Sequence, residues 1–364
     1  MSWFLAFAGF ALLVILHELG HFTAAKAVGM RVEKFSLFFP PTILSKKVGE
    51  TEYALGSIPA GGYVKISGMN PSEDLPEEVR DRAYHAQPVW KRIVVIAAGP
   101  AVNLVLAFLL FWVFYVAIGP QETTTRVATV EKGMPAAGQV EPGDRLIAVD
   151  GVRGEPARLS EQIQKHRCSG DPTEGCKATT PATLLVKRDG KLVRLTLTPV
   201  YDANPGEGID PRTRLGFAFA SDGPHVTYPV GKSFDIAADQ FWFISKETVK
   251  LPLRLIDPEK RKEISGVVGS YEATRQTILN DVADAVGILA IISLSLAIVN
   301  LFPFLPLDGG HIFWAIVEKV RRKPVPFAVM ERAGVVGFML VILIFLIGLS
   351  NDIGRLSGEG FQVR

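Results

Sequence analysis

Trp3-Phe-Leu-Ala-Phe-Ala-Gly-Phe-Ala-Leu-Leu-Val-Ile-Leu16 runs without a break into His17-Glu18-Leu19-Gly20-His21, and the run continues to about Val28. An apolar stretch of this length reads as a helix that crosses a bilayer, because lipid leaves the backbone no partner but itself. On a helix, side chains four apart lie one above the other on the same face. Two imidazoles at that spacing can reach one Zn²⁺ at about 2.0–2.1 Å, and Glu18 beside the first of them is placed to act as general base toward water. Ionisable side chains inside an apolar helix are costly unless they have a function. The competing reading is two buried histidines satisfied by backbone carbonyls.

Working outward, three further stretches qualify as spans: Ile93 to Ile118, Ala285 to Leu307 (interrupted near its end by Pro303 and Pro306) and Ala333 to Ser350. Hydrophobic residues make up 48% of the 364, and 39 Lys and Arg leave a net charge of only +2. That balance excludes a dedicated nucleic-acid binder, and 2 Cys exclude a disulfide scaffold. The first span lacks a basic leader and a small-residue cleavage site, so it reads as a retained helix rather than a signal peptide. Lys26, Arg31, Lys34, Lys46, Lys47, Lys91 and Arg92 flank spans one and two, and Lys319, Arg321, Arg322, Lys323 and Arg332 lie between spans three and four. Both connections are therefore expected in the cytosol, with the N-terminus, segment 119–282 and the C-terminal tail outside.

The expected fold is a polytopic α-helical membrane protein with four transmembrane helices (1–28, 93–118, 283–310 and 333–350). A cytosolic segment (29–92) carries a β-hairpin at about 50–68, where Tyr53 to Ile66 reads as two short strands around a Gly-rich turn. Residues 119–222 form an extracytoplasmic β-rich domain, 223–282 a linker with an amphipathic helix over 233–256, 311–332 a cytosolic loop and 351–364 a tail. In the β-rich part, Val127 to Val130, Thr183 to Val186 and Leu192 to Leu197 read as strands, the last two joined at Asp189-Gly190, with a closing strand at Leu215 to Phe219. Gly133-Met-Pro-Ala-Ala-Gly138 followed by Pro142-Gly-Asp-Arg-Leu-Ile-Ala-Val-Asp-Gly151 resembles a PDZ domain. That resemblance implies capture of a peptide or free carboxylate by strand addition. Cys168 and Cys176 are compatible with a disulfide outside the cytosol or with two thiols.

A hydrolytic zinc site has three protein ligands and one open position. The acidic residue at a broken span end is Asp308, in Asn300-Leu-Phe-Pro-Phe-Leu-Pro-Leu-Asp-Gly-Gly310. Depth supports the pairing. His17 lies roughly 21 Å into a core of about 30 Å, and Asp308 is at the inner end of a span running the same way. Asn103 of span two, roughly 15 Å deep, could donate to a substrate carbonyl or bond to another helix; Asn300 is read likewise. The hairpin around Gly61-Gly62 offers an edge on which an extended substrate could add as a strand.

In this order, His-Glu-Leu-Gly-His at 17–21, the Gly-rich hairpin near 56–68, Gly-Pro-Ala-Val-Asn at 99–103, the PDZ-like segment, Ile264-Ser-Gly-Val-Val-Gly269 and Asn-…-Leu-Asp-Gly at 300–309 resemble the site-2 protease family. The likeness is to its bacterial branch that cleaves membrane-bound anti-sigma factors. The resemblance implies His17, His21 and Asp308 as zinc ligands and Glu18 as catalytic base. It also implies a membrane-reentrant hairpin presenting the substrate, and substrate handling by Asn300, Pro303 and Pro306. Implied substrates are single-span proteins already trimmed on the outer side, or remnant signal peptides, cut within the inner membrane. The best-known members carry tandem PDZ domains, whereas this chain has room for one. A different class of reading is a PDZ-bearing membrane scaffold with a vestigial zinc site; another is a zinc hydrolase of lipid-like amides.

Overall fold

A computed structural model describes residues 2–70, 73–203, 205, 210–257, 261 and 266–357. The chain divides into two units, Met1–Ile118 with Tyr228–Arg364, and Gly119–Thr227.

The first unit is helical around a small sheet. Helix α1 (Ser2–Ala27) leads into strands β1 (Val32–Val48) and β2 (Thr51–Ile66), followed by helix α2 (Val89–Val113). Among the described residues, three helices are long and apolar enough to cross a membrane, spanning Phe4–Ala27, Val89–Ile118 and Ala328–Gly354. The third expected span is shorter than the sequence suggested. Its helix stops at Asn300, residues 301–307 are irregular, and a new helix opens at Asp308 and runs to Arg321 through the stretch expected to be a loop. Pro303 and Pro306 supply the physical reason, since neither can donate the backbone bond a continuing helix needs.

The hairpin also differs from expectation. The segments 51–56 and 62–66 do not pair with each other; both pair with 32–37, which lies between them. Tyr53 faces Phe35 from one side and Val64 faces it from the other, while Lys46 pairs with Tyr53 on the far edge. The sheet therefore reads 42–48, 51–56, 32–37, 62–66 across its width, with Gly49 (φ 63°) turning the outer pair. Phe38-Phe39-Pro40-Pro41 forms the bend between the two arms of β1.

Numbering the remaining helices in chain order, α3 (Pro156–Gln164) belongs to the second unit. Helices α4 (Val230–Val249), α5 (Leu251–Ile256), α6 (Val267–Asn280), α7 (Ala285–Asn300), α8 (Asp308–Arg321) and α9 (Phe327–Ser357) complete the first. The expected amphipathic stretch 233–256 forms two helices, α4 and α5, and α4 packs within the first unit. Ala237 and Ile244 are buried with Ala107 and Phe111 of α2 and Ala290, Leu294 and Ile298 of α7. Lipid tails are as apolar as these side chains, so small residues that let backbones approach hold such helices together; Ala107, Ala237, Ala290, Ser293 and Ala297 are all fully buried. On α9, by contrast, Val336 and Met339 are each 62% exposed. An apolar surface of that extent is tolerable in lipid and not in water. Ile264 and Ser265 of the Ile264–Gly269 motif and tail residues 358–364 lie outside the described residues.

The second unit is an antiparallel sheet of order β6-β5-β4-β3-β9, with β3 (Gln121–Val130), β4 (Arg145–Val149), β5 (Ala182–Arg188), β6 (Lys191–Leu197) and β9 (Phe217–His225). Short strands β7 (Val200–Asp202) and β8 (Arg212–Arg214) form a second pair. The closing strand starts two residues later than expected and runs to His225, beyond the expected boundary at 222. Asp189 (φ 48°) and Gly190 (φ 81°) make the turn of the β5–β6 hairpin. Val127, Leu146, Val149, Leu184 and Val186 meet Leu159 and Ile163 of α3 in one core. Cys168 and Cys176 are joined by a disulfide.

Candidate metal centre

Helix α1 stacks His17 above His21 on one face, with ring planes at 84° and centroids 4.9 Å apart. The two are 6% and 8% exposed. Nδ1 of His21 lies 2.9 Å from the carbonyl oxygen of Val95 on α2. A carbonyl can only accept, so Nδ1 carries the proton, and in a neutral ring Nε2 is left as a bare lone pair. Gly99, one turn further along α2, makes room for the ring: a Cβ there would lie 2.3 Å from Nε2 of His21. Asp308 enters as the first residue of α8. The return of 301–305 over that first turn needs Gly309, where a Cβ would meet the Leu301 carbonyl oxygen at 2.2 Å. At its far end α8 is tied to α2 by Arg92, whose guanidinium donates to both carboxylate oxygens of Glu318 at 2.9 and 2.7 Å.

These supports bring together residues nearly three hundred positions apart. Nε2 of His17 is 3.2 Å and Nε2 of His21 3.3 Å from Oδ2 of Asp308, and the two nitrogens are 3.3 Å from each other. Charge-assisted N–H···O⁻ bonds run about 2.7–2.9 Å, shorter than any edge of this triangle. A tetrahedral ion with bonds of about 2.0–2.1 Å holds its donors roughly 3.3–3.4 Å apart, which matches the triangle. Oδ2 of Asp308 and Nδ1 of His17 are buried without a hydrogen-bond partner among the described residues. Two imidazoles and a carboxylate are a zinc-type donor set, and a cation between them answers the facing lone pairs. The residues fit a Zn²⁺ site.

Glu18 follows His17 and meets the sheet: a Cβ on Gly62 would sit 3.1 Å from Cγ of Glu18. Gly62 pairs with Leu37 on one side, and segment 62–66 has no strand partner on its other edge among the described residues. Asn103 lies one turn beyond Gly99 on α2, is fully buried, and among the described residues has no partner for either side-chain amide atom. Its backbone oxygen accepts from Oγ of Ser293 on α7 at 3.0 Å. Asn300 ends α7, and Pro303 and Pro306 are exposed in the irregular connection. The structure thus joins His17, His21, Asp308, Glu18 and Gly62 in one place, whereas Asn300 lies at the end of α7 and Pro303 and Pro306 in the connection to α8.

The profile of Peptidase family M50 matches residues 5–344. The chain belongs to this family, the site-2 protease family. This M50 peptidase is 30% identical to metalloprotease MmpA of Caulobacter vibrioides over 383 residues, covering 95% of the chain and 93% of the relative. It is 30% identical over 354 residues to a Campylobacter jejuni protein provisionally named a zinc metalloprotease, covering 95% and 92%. A Brucella suis protein of the same provisional name is 31% identical over 366 residues, covering 93% and 92%. With its apolar helices, the M50 peptidase is an integral membrane protein.

Several supporting residues were beyond sequence reasoning. Nothing marks the Val95 carbonyl in advance, because every residue has one. Gly99 entered the sequence reading only within the Gly-Pro-Ala-Val-Asn motif and Arg92 only as a basic flank, and neither reading names a partner.

Proposed function

We propose that the chain is an intramembrane zinc metalloprotease in which His17, His21 and Asp308 hold Zn²⁺ and Glu18 is the general base. The observation that carries the reading is the donor triangle of 3.2–3.3 Å, assembled from α1 and α8 beside a lone carboxylate. When bound, Zn²⁺ lowers the pKa of water and polarises a carbonyl. Glu18 takes the proton of the attacking water and returns it to the leaving amine. The Val95 carbonyl and Gly99 hold His21 in the tautomer and orientation needed for binding. Asn103, whose amide has no partner among the described residues, donates to the substrate carbonyl, and Asn300, Pro303 and Pro306 keep the entrance to the site non-helical.

A substrate helix satisfies its own carbonyls and must unwind before attack. The free edge at Gly61 and Gly62 replaces those bonds by strand addition. The substrate is then the transmembrane segment of a pre-trimmed single-span protein, such as an anti-sigma factor or a remnant signal peptide. The short helix α7 completes four spans in the inner membrane. Basic connections inside place the N-terminus, C-terminus and the β-rich unit outside, and the Cys168–Cys176 disulfide supports an oxidising location for that unit. That unit is read as a single PDZ domain that binds a peptide or carboxylate.

The test is elemental analysis of the purified full chain together with mass analysis of products from a synthetic transmembrane peptide. About one zinc per chain and internal cleavage, faster when the peptide contains Gly or Pro, are expected. Absence of a transition metal, or equal cutting of a fully helical peptide, overturns the metal-site or the unwinding reading respectively.

A further inference from the structure

Helix α8 leaves the metal centre at Asp308 and presents two unlike faces. On one, Ala315 is buried and Glu318 accepts both guanidinium hydrogen bonds of Arg92. Among the described residues, α2 is the one helix or strand against which α8 packs at length. On the opposite face Phe313, Ile316 and Val320 recur at helical spacing and are exposed, Val320 at 77%. Lys319, Arg321, Arg322 and Lys323 follow, all exposed and none paired with a carboxylate among the described residues. Glu318 is the one acidic residue between 309 and 330, and Arg92 already neutralises it.

Depth decides what meets this second face. Arg92 lies in the first turn of α2, just ahead of the uncharged run that opens at Ile93. Its bond to Glu318 therefore sets the far end of α8 level with the membrane surface. Asp308 lies about 15 Å deeper along the helix, beside His21. The apolar stripe is then bounded by lipid tails, and the basic cluster stands where tails give way to headgroups. Long basic side chains reach that level with their stems among the tails. Arg322 ends the helix at φ 54°, in the left-handed region where glycine is the usual residue. Glycine adopts that torsion at less cost, so capping does not account for the charge.

We propose that the C-terminal half of α8 is a binding surface for anionic lipid headgroups. Lys319, Arg321, Arg322 and Lys323 hold the phosphate groups, and Phe313, Ile316 and Val320 lie against the acyl chains. The partner follows from charge and position together. Each basic residue near a bilayer surface favours anionic lipid by about fivefold, and here four lie within one turn and a half. A soluble acidic protein would answer the charges and leave the stripe uncovered; lipid answers both. Lipid thereby supports the face of α8 that α2 does not, on the helix that opens with Asp308. This inference goes beyond the proteolytic reading and does not depend on it.

The experiment uses the full chain in vesicles of phosphatidylcholine and phosphatidylglycerol in about equal parts. A trace of either lipid carries a photoactivatable headgroup, and labelled peptides are mapped by mass spectrometry. Over residues 313–323, label from the phosphatidylglycerol probe is expected at least about fivefold above that from the phosphatidylcholine probe. The triple variant Lys319→Gln, Arg321→Gln, Lys323→Gln is expected to bring the two within about twofold. Ile316→Ser with Val320→Ser keeps every charge, and serves should the first variant insert wrongly. It is expected to lower the phosphatidylglycerol label at least about threefold. Equal label from the two probes in wild type, or label that a correctly inserted variant leaves unchanged, overturns the lipid surface. Crosslinks from this segment to a second protein chain in place of lipid also overturn it.

Discussion

Two clusters of polar side chains, one in each unit, are built on opposite terms. In the β-rich unit, Arg188 donates to both carboxylate oxygens of Asp144, to Glu141 and to the backbone of Gln139, and the Asp144 carboxylate also accepts from the Glu141 amide. That cluster is saturated. In the helical unit, His17, Asp308 and Asn103 keep buried atoms with no partner among the described residues. Burying polar groups costs free energy unless they are bonded, so a saturated cluster is architecture and an unsaturated one is capacity held for a ligand. Their surroundings differ in the same sense. Val, Leu and Ile dominate the β core, closed by the hydrophobic effect, whereas the helical one sets Ala107, Ala237 and Ala290 among Phe111, Ile244, Leu294 and Ile298, the small residues allowing close approach.

The comparison is sharpest at Glu18. Glu18→Gln is expected to lower turnover of a transmembrane peptide by about 10²–10⁴-fold while zinc content stays at one per chain. Loss of zinc along with activity would mean that Glu18 belongs to the donor set rather than to proton transfer. Next in size is Gly99→Ala, whose Cβ collides with the His21 ring. Zinc affinity is expected to fall about 10–100-fold, read by competition with a chromogenic chelator. Asp144→Ala acts on the saturated cluster. Removing a buried partner is expected to cost about 1–3 kcal/mol of stability in residues 121–225, seen as lost amide protection there, with zinc content and peptide cleavage unchanged. If zinc content fell as well, the two clusters would not be independent.

The smallest effect concerns Glu50, in the turn of the outer strand pair. Hydrogen bonds from Arg82 and then Lys26 hold its carboxyl well below the usual carboxylate range, at about 2. A depressed carboxylate stabilises the fold above its unfolded pKa, and that contribution disappears as pH falls from the ordinary value of 4.5 toward about 2. The partners are partly exposed, so the gain is under about 1 kcal/mol. Thermal melts of Glu50→Gln and wild type should differ slightly at about pH 6 and coincide near pH 2. A gap that widens on acidification would reverse the sign.

Much of this site was legible before any coordinates. Helical spacing is a local property, so His17 and His21 on one face followed from the chain, and Asp308 followed from the need for a third donor at a matching depth. Strand pairing is not local. Tyr53 to Ile66 carried the right pattern for two arms, but the intervening partner, residues 32–37, had no signal beyond its aromatics, and the Pro40-Pro41 bend concealed it. The third span was read as broken by Pro303 and Pro306, as it is, but hydropathy, seeing Leu301 to Leu307 as apolar, carried it past the end of the helix at Asn300.

By itself, then, the sequence determined the apolar helices, the two imidazoles with their neighbouring carboxylate, and the Asp189-Gly190 turn, each a consequence of periodicity or of one residue's allowed torsions. Only the tertiary structure decided that Asp308 meets the histidines at 3.2–3.3 Å, that Gly99 underlies His21, and that Gly62 touches Glu18. Those neighbours depend on how whole faces pack across long separations in the chain, and packing is a property of surfaces brought together rather than of any segment alone.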